Sequence, residues 1–383
     1  MTQTKVEAPF VENNSPFRNL IINGDMKIAQ RATSATTITN NSVHYATVDR
    51  FAVYEYSGAV LTSEQHDMSA ADQATTGQSK AMELNVTTAD TSIASGEWCF
   101  FTQPVEAQFC QHALYGTSAA KNLTLSFWVK TNKTGTYAVA IDKNDSTRYR
   151  LPITYTVDSA DTWEKKVINI SPTAGSTSLI TAANGAIADD NGLGFFIWWV
   201  LAAGTDSQGT NNTWTSSGHY TTSDQVNWLD STDNNFHITG VQLEVGDQAT
   251  DFEYLPFDVQ FQRCQRYLQC ITHNATTSGN VTGDNKYIMD VHFYNGTACY
   301  GSYMFPVQMR GTPTVVATDT SNAMRVYYKG TYDSIDNLSL EGTARFNHIL
   351  IGNFTDIAEN SQSGAAGHIY NYDNAQVFVD AEL

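Results

Sequence analysis

Apolar and polar side chains alternate through Leu123–Lys130 (LTLSFWVK), which puts Leu123, Leu125, Phe127 and Val129 on one side of an extended chain. The same two-residue period, or a short apolar run bounded by turn residues, marks Arg50–Tyr56, Lys80–Val86, Glu97–Gln103, Thr136–Ile141, Arg150–Val157, Trp163–Ile170, Phe195–Ala203 and Phe236–Val245. Gly, Asn, Asp and Ser recur between these runs. About ten short strands and no long helix before Leu255 predict a two-sheet sandwich or jelly roll. The run FFIWWVLAA at 195–203 reads as a central strand, hydrophobic core rather than a ligand surface.

The period changes at Pro256. Phe257, Phe261, Cys264 and Leu268 follow at steps of four, three and four, one face of a helix. Pro256 suits the first turn, because the amide it lacks would have had no intrahelical partner there. Strand-like runs then return at Lys286–Tyr294, Ala298–Phe305, Thr314–Ala317, Ala323–Lys329, Ala344–Ile351, His368–Tyr370 and Gln376–Ala381. The expected organisation is all-β: a polar arm over 1–16, a jelly-roll β-sandwich over 17–255, a short linking helix over 256–270 and a smaller C-terminal β-sandwich over 271–383. The helix face has two readings, a seam about a three-fold axis or packing on its own domain.

Composition supports this picture and narrows the partners. A chain of 383 residues is too long for one ordinary core. A net charge of −18 without a Lys/Arg cluster argues against nucleic acid. Five cysteines, with no CxxC pair and no Cys/His zinc spacing, read as free buried thiols, a Cys99–Cys110 bridge being the lesser alternative. Residues 1–16 show no secretory signal, and the longest apolar run is less than half the ~20 residues of a membrane-spanning helix. The expectation is therefore no membrane insertion, and assembly in the cytoplasm of the cell that makes it.

No GxSxG elbow, HExxH pair, phosphate loop or GxGxxG turn is present, and the nine histidines show no i,i+2 or i,i+4 pair. Carboxylate pairs such as Asp189/Asp190 and Asp142/Asp145 occur, and in so acidic a chain most are expected to be solvated loop residues. Neither an enzyme nor a cofactor is expected. What remains is aromatics on polar segments: Trp214, Tyr220 and Trp228 in the long loop 204–235, and Trp128 on the opposite side of its strand from Phe127. A sugar ring has an apolar C–H face and a hydroxyl rim, which flat aromatics beside Asn, Asp and Thr suit. The competing reading is that these rings anchor the loop by packing on a sheet.

Several stretches resemble one family. Asn19–Arg31 (NLIINGDMKIAQR) is similar to the opening of the jelly-roll module in bacteriophage tail-fibre and other virion proteins, N-L-x-x-N-G-[DN]-[FM]-x-x-x-Q-R. LTLSFWVK and TWEKKVINI (162–170) look like that module's internal strands. ITGVQLEVGDQATDFEYLPF (238–257), followed by CQRYL (264–268), resembles its closing strand and helix. PVQMRGTPTV (306–315) and the DAEL of 380–383 resemble its distal domains.

The resemblance implies a virion structural protein with a jelly roll like carbohydrate-binding modules and a distal β domain. It further implies a homotrimer in a fibre or tail appendage, with other virion tail proteins and a host-surface glycan as partners. Some such modules hold a structural calcium at the opening turn, matched here by Asn23 and Asp25. Gly240 and Val241 stand where that site's acidic ligands are often found. The expected function is a non-catalytic tail-fibre or receptor-binding protein. A virion adaptor or decoration protein is the alternative, and a polysaccharide-degrading tail enzyme the remaining one.

Overall fold

The computed structural model describes residues 17–39, 42–271, 287–295, 298–317, 324–335, 337–340, 349–355, 364–371 and 376–383. The expected arm over 1–16 lies outside the described residues. So does most of the strand expected to begin at Ala344.

Two six-stranded sheets make up the first unit. The first sheet runs in the order β1 (Thr36–Ile38), β4 (Val60–Asp67), β5 (Lys80–Thr88), β12 (Asn235–Val245), β7 (Leu123–Thr131) and β10 (Glu164–Ile170). The second runs β2 (Ser42–His44), β3 (Ala52–Tyr56), β6 (Trp98–Glu106), β11 (Leu193–Ala203), β8 (Gly135–Lys143) and β9 (Tyr149–Val157). From β3 to β4, β5 to β6, β7 to β8 and β9 to β10 the chain changes sheet, and so it does at β11 to β12. This is the jelly-roll sandwich that the alternation predicts.

Pleating explains the core. Leu123, Leu125, Phe127 and Val129 of β7 are fully buried, as are Phe195, Ile197, Trp199 and Leu201 of β11. Phe127 meets Trp199 edge-on at 5.8 Å, and Phe51 stacks on Phe101 at 5.1 Å.

The opening and closing motifs lie side by side. Leu20 N–H donates to Leu243 O at 2.8 Å, and Val241 N–H donates to Gly24 O at 2.9 Å. Asn19 fastens the pair: its Oδ1 accepts from Leu243 N–H at 3.0 Å and its Nδ2 donates to Val241 O at 3.1 Å. A Cβ on Gly24 would lie 2.0 Å from Val241 O, so this approach requires glycine.

The alternation did not reveal β4 and the helix α1 (Ala70–Thr76). β4 reads VLTSEQHD, where Ser63 and Gln65 take inward positions beside Leu61, so hydrophobicity does not alternate. α1 is short and held by its ends, with Ser69 Oγ accepting from Asp72 N–H at 3.1 Å and Gly77 at φ 74°.

The second unit comprises Pro256–Leu383 together with Lys27–Thr36 and Tyr45–Arg50, so two stretches within 17–255 group with the later chain. It contains α2 (Phe257–Gln265) and a three-stranded sheet of β13 (Leu268–Cys270), β22 (Val377–Asp380) and β16 (Thr314–Ala317). A seven-stranded sheet runs β18 (Thr331–Ile335), β17 (Met324–Tyr328), β21 (Ala366–Asn371), β14 (Tyr287–Phe293), β15 (Cys299–Met304), β20 (Ile349–Thr355) and β19 (Asn337–Leu340). Val291, Phe293, Val326 and Ile369 of this sheet and Val379 of the three-stranded one lie in the unit's core.

Polar side chains explain the grouping. Gln30 Nε2 donates to Leu268 O at 2.9 Å, and Gln30 N–H donates to Asp49 Oδ1 at 2.8 Å. Arg31 pairs with Asp380 at 2.7 Å, and Arg50 pairs with Glu382. Arg310 Nε donates to Ala381 O at 2.8 Å. The QR, CQRYL, QMRG and DAEL stretches are thus one internal network.

The expected helix face is corrected here. Phe257 is 45% exposed and stacks on the half-buried Phe261 at 5.9 Å, while Cys264 is fully buried. Leu268 is not helical: it opens β13 opposite Asp380. The helix stops because Tyr267 N–H turns back to Cys264 O at 2.9 Å, and its ring is buried beneath the Arg50 guanidinium, 3.4 Å from the ring centre. All five cysteines are free thiols, Cys99 and Cys110 included. Among the described residues, no helix is long and apolar enough to cross a membrane.

Candidate functional site

The outward positions of the second sheet carry rings at every other residue of three adjoining strands: Tyr54 and Tyr56 on β3, Trp98 and Phe100 on β6, Phe196 and Trp198 on β11. Register aligns them, with Tyr54 opposite Phe100, Tyr56 opposite Trp98, and Trp198 beside Thr102 and Ala140. The small residues Ala138 and Ala140 on β8 floor the surface.

The rings touch as one surface. Tyr54 meets Trp198 edge-on at 4.9 Å, Phe196 lies 4.6 Å from Trp198, and Trp98 stacks between Phe100 at 4.7 Å and Tyr56 at 5.3 Å. Phe100 and Trp198 are buried beneath their neighbours, whereas Tyr54, Trp98 and Phe196 remain half-buried and Tyr56 is 46% exposed.

One edge of this surface is charged. Asp142 of β8 is fully buried and accepts both the Trp198 indole N–H at 3.2 Å and Arg148 Nε at 2.9 Å. Arg150 Nε lies 3.5 Å from the same carboxylate, and its guanidinium covers the Tyr220 ring at 5.0 Å. Arg148 also donates to Tyr220 Oη at 3.4 Å. The Asp142 hydrogen bond strengthens the Arg148 cation, and burial first, then the Asp142 charge, keeps the Tyr220 hydroxyl protonated. Burial raises Tyr54 as well. The result is an apolar ring surface edged by a fixed cation and neutral hydroxyls.

Of the four rings expected to contact sugar, the structure brings only Tyr220 to this surface. A parallel bridge between Gln208 and Thr221 holds it there, and it lies 5.0 Å from Phe100 and 5.9 Å from Trp198. Trp214 and Trp228 are corrected: they are 2% and 0% exposed, and their indole N–H groups donate to Ser171 O at 2.8 Å and Asn235 O at 3.1 Å. They anchor the loop. Trp128 stands on the other sheet, half-buried against Met68, Ala81 and Trp163.

The pleat divides FFIWWV, expected to be core throughout. Phe195, Ile197 and Trp199 face in, while Phe196 and Trp198 face out. The available signal was aromatic residues at i and i+2 in three separate strands: Tyr54/Tyr56, Trp98/Phe100 and Phe196/Trp198.

At the opening turn implied to hold calcium, acidic side chains alone do not supply a ligand set. Asn23 and Asp25 are buried, and Asn23 and Met26 hold the turn with φ of 62° and 59°. Val241 O, packed against Gly24, already accepts from Asn19. Among the described residues, Asp25 belongs to no group of three or more His, Cys, Asp or Glu placed to share an ion, and calcium takes six to eight oxygens.

The chain matches no protein-family model and no curated protein. Solved structures similar to it include a family 11 carbohydrate-binding module of a cellulosomal cellulase of Clostridium thermocellum. Its TM-score is 0.28 with 12% identity, covering 57% of this chain and 98% of that one. Tailspike protein 4 of bacteriophage CBA120, in its enzymatically active domain, gives 0.28 and 12%, over 61% and 22% of the two chains. The tandem CBM22-1–CBM22-2 domain of Xyn10C from Paenibacillus barcinonensis gives 0.26 and 8%, over 93% and 100%. TM-scores this low carry no argument about what the chain does. Its own strand order and pleat make it an all-β jelly-roll sandwich followed by a second β unit.

Proposed function

We propose that this is a non-catalytic virion protein, a bacteriophage tail-fibre or receptor-binding subunit, which contacts host-surface glycan through the outward face of its second sheet. The observation that carries the binding reading is the continuous ring surface of Tyr54, Tyr56, Trp98, Phe196 and Tyr220, lying over the buried Trp198, with Arg148 held on Asp142 at its edge. Pyranose C–H faces stack on such rings, and the guanidinium and tyrosine hydroxyls take the sugar hydroxyls. The tail-fibre reading rests on the Asn19–Arg31 opening and the 238–257 closing motifs, which meet in the fold. For the homotrimer, Phe257 and Phe261 are the helix residues left for a contact between copies, because Cys264 and Leu268 are spent in the core.

The test is competition for phage adsorption, with binding to an array of host polysaccharides alongside. The full chain carrying Tyr54→Ala with Tyr220→Ala, and separately Arg148→Ala, is compared with the wild type. Each ring lost is expected to weaken binding about tenfold, with circular dichroism unchanged. Unaltered adsorption by folded double variant sinks the site, and loss of adsorption with Trp214→Phe instead would return it to the loop.

A further inference from the structure

The outward face of the first sheet carries different chemistry. His66 on β4, Glu83 on β5 and His237 on β12 stand on three adjoining strands, with Glu83 in register opposite His237 on one side and Glu64 on the other. Gln65, Met82, Leu84, Phe236 and Ile238 fill the inward positions of the same strands, so the pleat turns all four outward.

Their donor atoms converge. His66 Nδ1 lies 2.7 Å from Glu83 Oε2, and His237 Nε2 lies 3.2 Å from that same oxygen. One ligand atom from each residue falls within 4.8 Å of the others. The two imidazoles stand nearly perpendicular, 5.0 Å apart at 82°, so their rings do not obstruct a shared point between them. Zinc–ligand bonds are about 2.0–2.2 Å, which small side-chain rotations from this arrangement reach.

Two further features belong to a metal centre. Asn85 Nδ2 donates to the other Glu83 oxygen, Oε1, at 2.9 Å, orienting the carboxylate as supporting partners of ligands do. Glu64 stands directly opposite Glu83 on the neighbouring strand, and adjacent carboxylates repel unless a proton or cation joins them. Lys130 is drawn aside, 3.8 Å from Asp72 and over the Trp163 ring at 5.3 Å. His66 is 32% exposed and Glu83 and His237 are nearly covered, which leaves an entry for an ion from solvent.

We propose that His66, Glu83 and His237 bind one zinc ion, with the fourth position closed by Glu64 or water. Two imidazoles and a carboxylate select zinc over calcium or magnesium, which require oxygen ligands. Sequence spacing hides such a site, since residues 66, 83 and 237 supply one ligand each from strands that meet only in the sheet.

Untagged full-length protein is titrated with zinc chloride by calorimetry, and with cobalt(II), whose visible absorption reports a tetrahedral site. The expected result is one ion per chain with a tetrahedral cobalt spectrum, no displacement by calcium, and zinc affinity at least tenfold weaker in His66→Ala and in Glu83→Gln. Asn85→Ala is expected to weaken it about tenfold. His66 lies at the surface, so its variant keeps the test usable where the buried His237→Ala misfolds. Absence of stoichiometric zinc binding by the wild type overturns the site, as does equal binding by folded His66→Ala.

Discussion

The two sheets of the first unit share one core and one pleat rule, yet their outward faces diverge. The second sheet presents Tyr54, Trp98, Phe196 and Trp198, joined by contacts between rings. The first presents Glu64, His66, Glu83 and His237, joined by hydrogen bonds and charge. Inward positions on both sheets are interchangeable in kind: Phe127 from one meets Trp199 from the other. The fold therefore constrains alternate residues, and the intervening ones are free to hold chemistry. Rings suit a broad, weakly directional contact; converging donor atoms suit one small ion.

The two faces depend on one shared core, and emptying it acts on both. Trp199→Ala empties a fully buried ring site between the sheets and is expected to cost ~3–5 kcal/mol in denaturant unfolding. Glycan and zinc binding should fall together; retention of either at full strength would show that face to be independent of the core. Asp142→Ala acts on the aromatic face alone. It strips the acceptor from Trp198, Arg148 and Arg150, and unfolding should register a loss of ~1–3 kcal/mol, with zinc affinity unchanged.

Trp214→Phe sharpens the distinction between anchor and contact. It keeps a ring in place but removes the hydrogen bond to Ser171 O, so melting should show a cost of ~1 kcal/mol and glycan binding should be unaffected.

The smallest effect is a pH dependence confined to the polar face. Glu83, held below its ordinary 4.5, contributes stability that is present above that value and lost as pH falls through its lowered value. His66, raised above 6.5 chiefly by its Glu83 hydrogen bond, contributes stability present below 6.5 and lost as pH rises through its raised value. Glu64, raised above 4.5, likewise loses its contribution as pH rises. In metal-free protein, Glu83→Gln should flatten the acid limb of melting temperature against pH. An unchanged acid limb would detach the cluster from folding.

How much of this was legible follows from what each pattern encodes. β7 was written plainly because its outward residues other than Trp128 (Thr124, Ser126 and Lys130) are polar, and β11 was half-legible: a run with rings on both faces gives no parity to read. β4 was hidden for the opposite reason, since Ser63 and Gln65 occupy inward positions next to Glu64 and His66. The helix beginning at Phe257 was correctly placed, but its periodic face ran on to Leu268 although the chain had already turned at Tyr267. Loop composition could not separate Tyr220 from Trp214 and Trp228, because an anchored indole and an offered ring have the same neighbours in sequence. The metal ligands lie too far apart along the chain for spacing to relate them.

The network in the second unit has a consequence for timing. Arg50 and its partner Glu382 are 332 residues apart. At ~5–20 residues per second the ribosome needs roughly 17–66 s between them. In the later part of that interval, between Val245 and Asp380, every strand of the sandwich is already synthesised while Asp380 and Glu382, the partners of Arg31 and Arg50, are not. The order of assembly is thus set by translation: the sandwich can close on the ribosome, and the second unit must wait for its last strand. Ribosome stalling at Gly330, with Val245 clear of the exit tunnel and Asp380 and Glu382 not yet made, should yield a nascent chain whose sandwich resists protease while residues 27–36 and 45–50 remain open to cleavage.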